Sequence, residues 1–180
     1  VTDSRLNTKD YAIMGLCTAL MAICAWITIP AAVPFTMQTF AVFLTAGLLG
    51  GKRGTIVVLV YLLLGAVGLP VFSGFAGGLG YMMGVTGGYL VGFIFIGLIM
   101  WLFEKLWGFG RRTLIVSMTL GLIACYAFGT AWFIIVYTRN TGSIGVLSAL
   151  SMCVFPYIIP DAVKIGLALL LTMRVKRFVQ

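Results

Sequence analysis

Val85-Thr86-Gly87-Gly88-Tyr89-Leu90-Val91-Gly92-Phe93-Ile94-Phe95-Ile96-Gly97-Leu98-Ile99-Met100-Trp101-Leu102-Phe103 carries no charge, and Glu104 and Lys105 follow it at once. An apolar run of about 20 residues is what a helix needs to cross a hydrocarbon core about 30 Å thick. Counted to its last apolar residues, the segment is 85–107. Beyond a short link holding Arg111 and Arg112, a second apolar segment, 112–137, sets off again. Four more have the same character, at 11–29, 37–51, 54–69 and 157–174. Together they predict an all-α membrane protein of six transmembrane helices, the second and third short and interrupted by glycine. Arg5 and Lys9 before the first run resemble the start of a signal peptide, but that run is long enough to span and similar segments follow it.

Composition points the same way. Hydrophobic residues make up 62% of the 180 and charged residues 9%, against roughly 25% charged in a soluble domain. A soluble chain of this size cannot hide so much apolar surface. No linker or low-complexity tail separates the segments, so residues 1–180 read as a single integral-membrane domain. That leaves no room for a soluble catalytic or nucleotide-hydrolysing domain.

The net charge of +8 is a topology signal rather than a nucleic-acid footprint, because the basic residues sit at segment ends without interleaved aromatics. Arg5 and Lys9 precede the first segment, Lys52 and Arg53 link the second to the third, and Lys105, Arg111 and Arg112 surround the fourth link. Arg174, Lys176 and Arg177 close the chain. Six alternating helices put all ten on one side, and the opposite loops near 30–36 and 70–84 carry none. The positive-inside rule then makes both termini cytoplasmic. Only Arg139 and Lys164 break the pattern.

Lys164 stands three residues after Asp161 in the stretch Pro160-Asp161-Ala162-Val163-Lys164, so the two share a helical face. At 1.5 Å per residue, Asp161 lies roughly 20 Å from Arg174, in the outer part of the hydrocarbon core. Ionisable residues at such depth are costly and mark functional sites. One alternative is structural: Pro160 suits the first position of a helix, and an aspartate in the first turn is favoured by the dipole. The same dipole disfavours Lys164 there. The other is a polar site reached from outside, the carboxylate accepting hydrogen bonds and the ammonium donating them.

The outer loops supply further candidates. The glycine run 74–80, which includes Gly77 and Gly78, lets backbone approach a ligand closely, and so apolar a loop is expected to pack as a lid. It has no preceding strand, and Gly51-Lys52-Arg53-Gly54 lacks the spacing of a phosphate cradle. Gly92, and with it Gly87 and Gly88, suits close helix packing. Gln38 is either a helix-start cap or a polar group facing a cavity. Trp26, Phe35, Phe72, Tyr89 and Tyr157 are equally compatible with an interfacial belt or with walls around a ring-shaped ligand. Gly15 and Ala19 form a small-residue pair, for internal packing or for docking another membrane subunit. Cys17, Cys24, Cys125 and Cys153 show no metal-ligand spacing, and the chain has no histidine. No metal or cofactor is expected, and a catalytic role is disfavoured.

Three stretches carry a family resemblance: Gly65-Ala66-Val67-Gly68-Leu69-Pro70-Val71-Phe72 with the glycine run, Gly84 to Phe93, and Pro34-Phe35-Thr36-Met37-Gln38 together with Pro160 to Lys164. They resemble the BioY family, the biotin-binding S components of energy-coupling-factor (ECF) transporters, over essentially the whole chain. The resemblance implies the six-helix S-component fold and capture of biotin from the extracellular side, as the substrate-specific subunit of an ATP-driven importer in the bacterial cytoplasmic membrane. The implied partners are a transmembrane coupling subunit, met through Gly15 and Ala19, and two cytoplasmic ATPase subunits that power uptake as the S component topples. Matched to biotin, Asp161 would accept from a ureido N–H and Lys164 would donate to the ureido carbonyl, with Gln38 and Tyr89 completing the polar set.

Two positions depart from the family pattern. Val85 stands where a proline is usual. Ala76 and Leu90 stand where some members have asparagine and arginine suited to the biotin carboxylate, leaving backbone N–H groups of the loop, or Arg139, as expected anchors. Two other functions fit the same residues: an S component for a different vitamin, and a proton-coupled carrier with Asp161 as its proton site.

Overall fold

The computed structural model describes residues 7–31 and 33–179; Arg5 lies outside them. Helix α1 (Thr8–Trp26) starts with a capping box, Asn7 and Asp10 each accepting from the other's end of the first turn. A two-stranded antiparallel hairpin, β1 (Thr28–Ile29) and β2 (Phe35–Thr36), forms the first outer loop. Helices α2 (Gln38–Leu49) and α3 (Gly51–Ala66) follow, joined through Gly50. A 3₁₀ turn, Ser73–Phe75, and a single helical turn, α4 (Leu79–Met82), make the second outer loop. The remainder is α5 (Gly87–Trp107), α6 (Arg111–Asn140), α7 (Val146–Cys153) and α8 (Phe155–Val179).

By length and composition α1, α5 and α6 can each cross a bilayer, and α7 with α8 passes the same test as a pair bent by 41°. At 12 and 16 residues, α2 and α3 reach about 18 and 24 Å, short of the hydrocarbon core. Leu16, Leu63 and Leu170 are 72%, 63% and 59% exposed on the bundle's flanks, the apolar exterior that lipid accepts and water does not. The segment expected at 157–174 begins earlier. Pro156, in the first turn of α8, sits where no intrahelical N–H bond is needed, so Pro160 lies inside the helix rather than opening it.

Glycine makes the closest helix contacts. Gly88 abuts Trp132, Gly92 abuts Cys125, and on α6 Gly121 and Gly129 abut Ile96 and Tyr89. Gly88 and Gly92, four apart on α5, and Gly121 and Gly129, eight apart on α6, let the two helices form the most extensive interface of the bundle.

The charge pattern closes in three dimensions. Arg53 pairs with Asp10 at 3.0 Å, Glu104 accepts from the Gly51 N–H at 2.6 Å, and the Lys176 ammonium lies 3.1 Å from the centre of the Phe109 ring. The start of α1, the α2–α3 turn, the α5–α6 link and the end of α8 therefore share one end of the bundle, and both outer loops occupy the other.

Candidate functional site

A cavity lies beneath the outer loops, lined by residues of both loops and of α2, α5, α6, α7 and α8. Its floor is the pair anticipated from the sequence. Asp161 and Lys164, only 3% and 4% exposed, meet at 2.7 Å. Around them hydrogen bonds use all three ammonium hydrogens and reach both carboxylate oxygens. Thr39 donates to Asp161 Oδ1 at 3.0 Å and Tyr126 donates to Oδ2 at 2.5 Å. Lys164 Nζ also donates to the Thr36 carbonyl at 2.7 Å and to Thr39 Oγ1 at 3.1 Å. The ammonium's three hydrogens are thus all in use. Phe35 covers it, with the ring centre 4.2 Å from Nζ. Buried charges persist when paired and hydrogen-bonded, as these are. With α8 starting at Phe155, Asp161 belongs to the second turn, so capping of a helix start does not account for it.

The outer loops are a packed lid. Trp26 Nε1 donates to the Pro70 carbonyl at 2.9 Å and its ring stacks on Phe75 at 4.9 Å. Thr28 and Ser73 hydroxyls meet at 3.1 Å. Phe72, fully buried, fills the space that the missing side chain of Gly65 leaves open, between Tyr61 and Tyr81. The Tyr157 hydroxyl donates to the Val33 carbonyl, tying the first outer loop to α8.

The other expected site residues are distributed unevenly. Gln38 lines the cavity, but its Nε2 donates to Tyr61 Oη at 2.5 Å and its Oε1 accepts from Thr36 at 3.0 Å. It braces α2 against α3 and caps no helix. Tyr89 contributes its ring to the wall while its hydroxyl meets Thr130 at 2.9 Å. Gly77 and Gly78 do not line the cavity. Gly77 packs on the Leu69 carbonyl and the Gly78 N–H donates to Gly65 O at 2.6 Å, so this backbone seals the end of α3. Arg139, in the last turn of α6, is exposed and does not line the cavity. Gly15 and Ala19 lie on the exposed side of α1, and a side chain at Gly15 would meet no other element among the described residues within 4 Å.

Of the aromatics, Tyr89 and Tyr157 form walls, Phe35 covers Lys164, Phe72 is lid core, and Trp26 packs on the second outer loop. Thr39, Tyr126 and the Thr36 carbonyl complete the site and were not anticipated. Tyr126 left a signal in a hydroxyl midway along the apolar run 112–137; a backbone carbonyl leaves none. Cys125 and Cys153 also line the cavity, and no group of three or more potential metal ligands occurs among the described residues.

A loop-covered polar cavity sunk into one end of an apolar helical bundle defines a membrane protein that binds a small molecule. Comparison with known proteins makes the class specific. The sequence model of the BioY family matches residues 2–180. The biotin transporter BioY of Thermotoga maritima is 41% identical over 165 residues, 91% of this chain and 93% of the relative. The probable biotin transporter BioY of Pyrococcus horikoshii is 33% identical over 172 residues, 95% and 98% of the two chains. Among solved structures, the S component for biotin from an ECF-type ABC transporter superposes with a TM-score of 0.81 at 26% identity, covering 96% of this chain and 95% of that one. The chain belongs to the BioY family.

Proposed function

We propose that this protein captures biotin from the extracellular side, as the substrate-specific subunit of an ATP-driven ECF importer in the bacterial cytoplasmic membrane. The observation that carries this is the buried Asp161–Lys164 pair at the floor of the cavity. A ureido group presents N–H donors beside a carbonyl acceptor, the complement of a carboxylate beside an ammonium. Among the described residues Asp161 Oδ2 accepts from Tyr126 alone, which leaves a lone pair for a ureido N–H. Lys164 has no spare hydrogen, so the ureido carbonyl must take the place of one acceptor. Thr36 O is the one carried by a loop strand rather than a helix. Its displacement would couple arrival of the ring system to movement of the first outer loop. Tyr89, Phe93 and Tyr157 wall the apolar part of the ring.

In this proposal α1, α2, α3, α5, α6 and α8 are the six spans, and both termini are cytoplasmic. The exposed Gly15–Ala19 face of α1 meets the transmembrane coupling subunit. ATP hydrolysis belongs to two cytoplasmic ATPase subunits, and this chain itself is no enzyme. A proton-coupled carrier fits less well, because Asp161 is already held by Lys164, Thr39 and Tyr126.

The test is ligand-dependent thermal stabilisation of the purified protein, followed by uptake in proteoliposomes. Biotin alone among water-soluble vitamins is expected to raise the melting temperature, as a ligand specific for the native state must, and uptake is expected to need the ATPase partners. Stabilisation by another vitamin, or uptake driven by a pH gradient without ATP, would refute the proposal. Ala19→Trp is expected to abolish co-purification with the coupling subunit while biotin binding stays unchanged.

A further inference from the structure

We infer that the site reads the biotin head and not its carboxylate, so that carboxamides and esters of biotin are ligands of nearly equal rank. The inference rests on the biotin reading above and follows from the charge balance of the cavity. Among the described residues Asp161 and Lys164 are the only charged groups lining it, and at 2.7 Å they neutralise each other. The other basic residues described stand at the opposite end of the bundle, except Arg139, which is exposed and outside the cavity. An anion buried here would add an unpaired charge, which a low-dielectric interior disfavours.

The outer loop instead offers hydroxyls. Ser73, Tyr81 and Thr86 line the cavity from that side; because Thr28 gives its hydrogen to the Ala25 carbonyl, Ser73 donates to Thr28 at 3.1 Å and is left as an acceptor. A hydroxyl donates and accepts. It therefore matches the C=O and N–H of an amide as well as it matches a carboxylate, whereas an arginine would only donate. Three amides of that loop are already engaged: those of Val71, Phe72 and Gly78 donate to the Leu69, Ala76 and Gly65 carbonyls. The tail is thus held by these neutral groups, where the free acid gains little over its amide.

Equilibrium competition on the purified chain in detergent tests this, with biotinamide, which differs from biotin by an amide in place of the carboxylate, and biotin methyl ester. The dissociation constant of biotinamide is expected within tenfold of that of biotin, and the ester's close to it. Thr86→Lys, which places a cation among the hydroxyls, is expected to shift the ratio at least tenfold toward the free acid. If biotin binds and biotinamide is more than tenfold weaker, the inference is overturned while the biotin assignment stands. If biotin itself does not bind, the assignment falls and this inference with it. A folded Thr86→Lys protein with an unchanged ratio would also overturn it, because the tail would then lie elsewhere; should that variant not fold, the wild-type ratio decides.

Discussion

Lys164→Ala is expected to weaken biotin binding by about one to two orders of magnitude, the worth of a hydrogen bond from a charged donor at about 1.5–3 kcal/mol. It should also destabilise the empty protein by about 3–5 kcal/mol, because Asp161 is left as an unpaired charge in a buried setting. The Thr36 carbonyl loses its donor as well, so the first outer loop loosens. The two effects are separable. Replacing both members, as Asp161→Asn with Lys164→Met, removes the stranded charge and is expected to restore most of the stability, since apolar or neutral replacements of buried pairs are often close to neutral. Binding should stay lost. Thermal unfolding and isothermal titration on the same preparations measure both quantities. If the double variant regained stability and affinity together, the pair would be a structural brace and not a ligand-recognition element.

Gly92→Leu should be the most damaging single change away from the polar site. A side chain built at Gly92 meets Cys125 Sγ at 2.6 Å and Cys125 Cα at 3.2 Å. The sulfur can turn aside; the backbone cannot without separating α5 from α6. Overpacking costs about 1–3 kcal/mol where neighbours can adjust, and here the upper end is expected. The damage should reach the ligand, because Leu90 and Phe93 on one helix and Cys125 and Tyr126 on the other line the cavity. Gly15→Leu is the control: the position faces open space, so the isolated chain should unfold within about 0.5 kcal/mol of wild type. Thermal unfolding in one detergent compares the two, and equal losses would show that the small residues of α5 carry no special packing role.

The architecture was legible in the sequence wherever one physical rule acted alone. Apolar runs closed by basic pairs located α1, α5 and α6 to within a few residues, and the pairs do gather at one end of the bundle. Gly92 read correctly as a packing residue. The outer end was harder because several rules compete there. The stretch 138–156 reads as a connection, yet it contains α7, a short helix with Ser148 and Ser151 that is bent by 41° against α8. Pro160 read as a helix start, but Pro156 takes that place. Gly77 and Gly78 showed that close backbone approach was needed without showing to what. Asp161 and Lys164 were conspicuous because charge is rare at that depth. Their companions Thr39 and Tyr126 are ordinary residues in apolar runs, and only the assembled bundle brings them to the pair.

The most direct measurement is a structure of the protein with biotin bound. It should place the ureido oxygen about 3 Å from Lys164 Nζ, in the position now held by the Thr36 carbonyl, and a ureido N–H on Asp161 Oδ2. The tail should run toward Ser73, Tyr81 and Thr86. A ring system bound away from Asp161 and Lys164, with their mutual hydrogen bonds unchanged, would contradict the account.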